Sequence, residues 1–134
     1  MRRSILFGFL IVLVNCFSAN AQTAQKQSLG TGTDKVEAYY FQMTVRCVTC
    51  KTVEAETKKD LETLYGGKVN FKAINLEDVK NKTLVEKLKI SGQTLLIVKG
   101  DSKINLTNEG FLYAVNNPEK FKSIIKSKVD GLLK

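Results

Sequence analysis

The chain has 134 residues, with 21 lysines and arginines against 13 acids, no histidine and three cysteines. Its net charge of +8 is spread over predicted helix faces, as at Lys58, Lys59, Lys87, Lys89, Lys122 and Lys126, with no basic tract and no aromatic–basic motif. That pattern argues against nucleic-acid binding and for a solvated basic surface able to dock an acidic partner or an anionic substrate. Three cysteines and no histidine also fall short of the four Cys or His ligands of an intramolecular zinc site.

The first residues predict an export signal. Met1-Arg2-Arg3-Ser4 is a basic start, 5–14 an unbroken apolar stretch too short to span a membrane comfortably, and Ala19-Asn20-Ala21 a small-residue cleavage site. A rival reading comes from Leu13-Val14-Asn15-Cys16, which loosely resembles a lipoprotein signal and would anchor the chain through a lipid on Cys16. Asn15 stands where that signal usually has Gly, Ala or Ser, so we expect a signal peptide over 1–21 and a periplasmic or otherwise exported product. Cleavage there lowers the net charge by two, through Arg2 and Arg3, and leaves Cys47 and Cys50 as the only cysteines. An exported dithiol lies outside the cytoplasmic reducing pool and needs a dedicated electron source or sink.

The segment 22–35, rich in Gln, Thr, Ser and Gly, reads as a flexible leader, and 36–134 as one domain. Residues 36–43 are aromatic and β-favouring with apolar groups on both faces, as in a buried central strand; within them Tyr39-Tyr40-Phe41 reads as core. A helical stripe follows over 49–65 and stops at Gly66-Gly67. A strand is expected over 69–75, a helix over 76–89, and a hairpin of 94–99 and 103–107 around Gly100-Asp101. A short helical turn is placed at 111–115. Asn117 then caps a last helix with Pro118 at its first position and Phe121, Ile124, Ile125, Val129, Leu132 and Leu133 as its inward stripe. The order β, α, β, α, β, β, α describes an α/β fold with a central mixed β-sheet flanked by helices.

Cys47-Val48-Thr49-Cys50 falls at the turn between the first strand and the first helix. Two intervening residues within a helical turn bring the sulfurs within bonding reach. Cys47 would meet the unpaired N–H groups and positive end of the helix dipole, which stabilise a thiolate, and Arg46 adds a formal charge beside it. Cys47 is therefore the expected attacking thiol. Cys50, in phase with Val53, Thr57, Leu61 and Leu64, is the expected buried resolving thiol. A structural disulfide and half of a zinc site are the rival readings of the same pair.

With Cys47-Val48-Thr49-Cys50 after the first strand and 90–98 leading into the third, the chain resembles thioredoxin-like proteins over nearly all of its length beyond the signal. Thioredoxins usually place a cis-proline before the Thr that opens the third strand, whereas this chain has Gln93 before Thr94 and its only proline is Pro118. The resemblance implies that Gln93 and Thr94 face the dithiol from across the site. Phe41 stands where thioredoxins carry a buried acid, and Arg46 and Val48-Thr49 replace the usual Trp and Gly-Pro. Through Arg46–Cys50, 90–101 and 117–120 the chain also resembles a small exported family of Bacteroides-type bacteria, described as a nitrophenyl-compound nitroreductase subunit of arsenic-resistance operons. That resemblance implies a role in reducing nitroaromatic arsenicals beside a membrane efflux permease.

No flavin fingerprint and no G-x-G-x-x-G loop is present, so no cofactor is expected and direct nitro reduction by this chain alone is not. A redox partner protein, a membrane electron donor or a nitroreductase partner must complete the system. Three functional readings stand: a relay cycling between dithiol and disulfide, a module holding a trivalent arsenical or soft metal between Cys47 and Cys50, and an interaction domain with an inert disulfide.

Overall fold

The computed structural model describes residues 34–134; the expected signal peptide, Cys16 and nearly all of the expected leader lie outside the described residues. Strand β1 (Val36–Gln42) runs into helix α1 (Val48–Tyr65), then strand β2 (Val69–Asn75). A 3-10 turn (Val79–Asn81), helix α2 (Lys82–Leu88), strands β3 (Thr94–Lys99) and β4 (Ser102–Asn105), and helices α3 (Thr107–Tyr113) and α4 (Pro118–Leu133) complete the order. The sheet is mixed, in the order β2-β1-β3-β4. β1 pairs parallel with β2, from Val36↔Val69 to Gln42↔Asn75, and antiparallel with β3, from Glu37↔Val98 to Phe41↔Thr94.

Central position makes β1 apolar on both faces. Val36, Ala38 and Tyr40 enter one core with Val53 and Leu61 of α1 and Phe121, Ile125 and Val129 of α4. Tyr39, Phe41 and Leu96 face the other way, onto Leu84, Val85 and Leu88 of α2. The three aromatics are core residues, at 6%, 0% and 0% exposure for Tyr39, Tyr40 and Phe41. Helices on both faces and a hairpin at one edge are the expected α/β arrangement.

Local chemistry explains the boundaries. Gly66 takes a left-handed conformation, with φ of 52°, and its N–H bonds Glu62 O, so α1 stops where its glycines begin. Gly100-Asp101 closes the β3–β4 hairpin between the paired Lys99 and Ser102. Asn117 caps α4 by accepting from Lys120 N–H, with Pro118 in the first turn.

Three expected segments differ. The helix expected over 76–89 is a 3-10 turn followed by α2, because Asn75 Oδ1 accepts from Glu77 N–H (2.8 Å) and Asp78 Oδ1 from Lys80 N–H (3.0 Å), which holds the start of the segment in turns. The strand expected to reach Thr107 ends at Asn105, whose Oδ1 accepts from Thr107 N–H at 2.9 Å and opens α3 four residues before the turn placed at 111. Among the described residues, no helix is long and apolar enough to cross a membrane.

Candidate functional site

Parallel pairing brings the C-terminal ends of β1 and β2 to one edge of the sheet, and the antiparallel β3 begins at that same edge. The loop after β1 carries Cys47 to the N-terminus of α1, and the loop before β3 carries Gln93 to face it. Cys47 and Cys50 form a disulfide, with Cα atoms 5.1 Å apart.

Cys47 is the N-cap of α1. Its extended backbone (φ −72°, ψ 165°) turns the side chain back over the helix, and its sulfur accepts from Cys50 N–H at 3.1 Å. A side-chain acceptor at this position satisfies one of the free N–H groups of the first turn. In the reduced protein the same N–H and the helix dipole favour negative charge on that sulfur. Cys47 is exposed, whereas Cys50 is 5% exposed, beside the fully buried Val53. Three apolar side chains of the loop after β1 and the start of α1, Met43, Val45 and Val48, are exposed, the last two at 90% and 80%.

Beneath Cys50 lies a short polar network. Tyr40 Oη donates to the Cys50 carbonyl oxygen at 3.0 Å, and Gln93 Nε2 donates to Tyr40 Oη, also at 3.0 Å. The other amide atom, Gln93 Oε1, lies 3.6 Å from Cys50 Sγ. Burial raises the Tyr40 phenol above its usual range; the Gln93 bond opposes this, the Glu54 charge adds to it and the Arg46 charge opposes it. Tyr40 therefore stays a protonated donor throughout the physiological range.

Arg46 does not stand alone beside Cys47. Its Nη1 bonds both Glu54 Oε2 of α1 and Gln42 Oε1 at the end of β1, so its charge is shared with a carboxylate at the site's margin. Gln93 faces the disulfide on its Cys50 side. Thr94, next to it, turns its hydroxyl onto Gly92 O at 2.8 Å and pairs by its backbone with Phe41. Cys47, Cys50 and Gln93 are thus gathered in one place, with Arg46 and Thr94 at its edges.

Tyr40 and Glu54 are site residues that sequence reasoning missed, as is Gln42, which joins Glu54 on the Arg46 guanidinium. The signal for Tyr40 was a phenol inside an otherwise apolar central strand, since a buried Tyr hydroxyl needs a partner. For Glu54 it was an acid one turn after Cys50 in a helix whose start carries an arginine. Among the described residues no group of three or more Cys, His, Asp or Glu side chains converges to hold a metal.

No protein-family model and no curated protein matches the chain. Solved structures do. Trxlp from Edwardsiella tarda aligns with a TM-score of 0.52 at 12% identity, over 71% of this chain and 85% of its own. Thioredoxin from Malassezia sympodialis aligns at 0.48 and 24% identity over 72% and 77%, and thioredoxin from Trypanosoma brucei brucei at 0.46 and 18% over 75% and 80%. With the first of these likenesses, the mixed four-stranded sheet between helices and the disulfide at the N-terminus of α1 define a thioredoxin-like fold.

Proposed function

We propose that this chain is a thiol–disulfide redox protein, exported after cleavage behind Ala21, that relays electrons as an accessory subunit in the reduction of nitroaromatic compounds, arsenicals among them. The observation that carries the redox reading is the asymmetry of the pair: an exposed Cys47, its sulfur held by the Cys50 N–H, beside a buried Cys50. A disulfide kept only for stability has no need of an exposed cysteine whose sulfur caps a helix.

In the reductive direction, the Cys47 thiolate attacks one sulfur of a partner disulfide and expels the other as a thiolate, which takes up a proton. Cys50 then loses its proton and attacks Cys47 Sγ. The intramolecular disulfide forms, the mixed disulfide breaks, and the partner's second thiolate leaves. Each cycle oxidises the dithiol by two electrons and two protons. Conversion of a nitro group to an amine takes six of each, so three cycles and a partner bearing the reducing centre are required. The nitroaromatic substrate class rests on the sequence resemblance, and the exposed apolar rim of Met43, Val45 and Val48 is consistent with contact to a partner or an apolar substrate.

Cys47→Ser tests this reading in cells carrying the whole system. Nitro-to-amine conversion should be abolished while the protein remains folded; conversion at the wild-type rate would remove the thiols from the relay. The intact mass of the protein from its native host tests export, which predicts a chain beginning at Gln22; a lipid-modified Cys16 at the N-terminus would contradict it.

A further inference from the structure

The Tyr40 hydroxyl has one proton, and the group it meets at 3.0 Å on one side is the Cys50 carbonyl, which can only accept. Towards Gln93, also 3.0 Å away, Tyr40 must therefore act as acceptor, so the Gln93 NH2 faces it. This leaves the amide oxygen turned to Cys50 Sγ at 3.6 Å. The orientation follows from donor and acceptor counts, and the high phenol pKa keeps the proton in place. In the disulfide, Oε1 faces a sulfur with no proton to give; in the dithiol, the same oxygen faces an S–H donor.

We infer that Gln93, oriented by Tyr40, is a positioning residue that stabilises the dithiol over the disulfide by offering a fixed acceptor to the Cys50 thiol. This rests on the redox reading above and adds to it the residue that sets the poise. When Cys47 carries a mixed disulfide, the same acceptor holds the Cys50 proton on the resolving sulfur, next to the bond it will attack. A proline at this position would have no side-chain acceptor, so the departure at Gln93 changes what the sulfur meets.

The test is the equilibrium of the chain beginning at Gln22 with glutathione, in which the disulfide and two glutathiones give the dithiol and glutathione disulfide. Gln93→Leu removes the acceptor at nearly constant size and should displace the equilibrium towards the disulfide by about threefold, the order expected for one weak hydrogen bond. Gln93→Glu gives up the NH2 that Tyr40 accepts from, and the Tyr40 proton can turn to the carboxylate in its place, but it keeps an oxygen towards Cys50 and strengthens that acceptor by charge, so it should displace the equilibrium towards the dithiol. Thermal unfolding of each variant checks folding. Displacements in these two directions support the inference, because a residue that merely fills space would give shifts of one sign; the reverse pair overturns it. Displacement of both variants to the same side, or of neither, overturns this inference alone, whereas a wild-type chain that fails to exchange with glutathione overturns the redox reading with it.

Discussion

The guanidinium of Arg46 is closed onto the carboxylate of Glu54, one helical turn beyond Cys50. The positive charge that sequence adjacency places beside Cys47 is thereby largely offset, and the Cys50 N–H at 3.1 Å becomes the main stabiliser of negative charge on the Cys47 sulfur. Alkylation of the reduced protein at neutral pH should label Cys47 before Cys50. Glu54→Gln, which frees the guanidinium, should speed labelling of Cys47 by about two- to threefold at low salt, the order of a partly exposed ion pair. Slower labelling in Glu54→Gln would show that the ion pair supports the thiolate instead of competing with it.

Asp60 is a second charged group in an awkward place. It lies on α1 at 1% exposure, and its Oδ2 has no hydrogen-bond partner. Burial raises its carboxyl above the usual range; Glu56 adds to this, Lys122 and Lys59 oppose it, and Glu119 adds a little more. A carboxyl whose folded pKa lies above its unfolded value contributes stability below the unfolded value and loses it as pH rises through the folded one. Asp60→Asn should therefore be more stable than wild type at pH 8, by about 1 kcal/mol, with the gap narrowing on acidification. Denaturant unfolding of both proteins across pH 4 to 8 measures it, and comparison of the two isolates Asp60 from Glu37, Glu77 and Asp130, whose carboxyls are shifted downwards. A gap that widens towards low pH would contradict this reading.

Gly110 lets α3 sit against α1 and α4. A Cβ at this position would lie 2.9 Å from Val53 Cγ1 and 3.4 Å from Phe121 Cζ, both on fully buried side chains. Gly110→Ala should destabilise the protein by about 1–3 kcal/mol through overpacking, despite alanine's better helix propensity. Val53→Ala in the same chain should recover part of the loss. Unfolding midpoints of the two single variants and the double variant check this; a neutral Gly110→Ala would mean that the helix moves aside freely.

Much of this architecture is legible in the residues because local and tertiary signals agree there. β1 is apolar on both faces since it lies between β2 and β3, α1 ends at Gly66, and Asn117-Pro118 opens α4. The segments read less well are those where a side chain outcompetes the helix or strand it belongs to, as Asn75 and Asp78 do before α2 and Asn105 does at the start of α3. At the site, the buried Cys50 follows from helix phase and the exposed Cys47 from its place at the edge ahead of the first turn. The Tyr40–Gln93 bond did not, because it joins residues 53 positions apart and depends on the β1–β3 register. Arg46 was assigned by adjacency, and only the folded chain shows Glu54 opposite it.

The central claim, that Cys47 and Cys50 cycle, is tested most directly by a thiol–disulfide equilibrium titration of the chain beginning at Gln22. A cycling pair should have a reduction potential between about −120 and −270 mV, the span of known dithiol oxidoreductases, whereas a value below about −300 mV, in the range of structural disulfides, would contradict it.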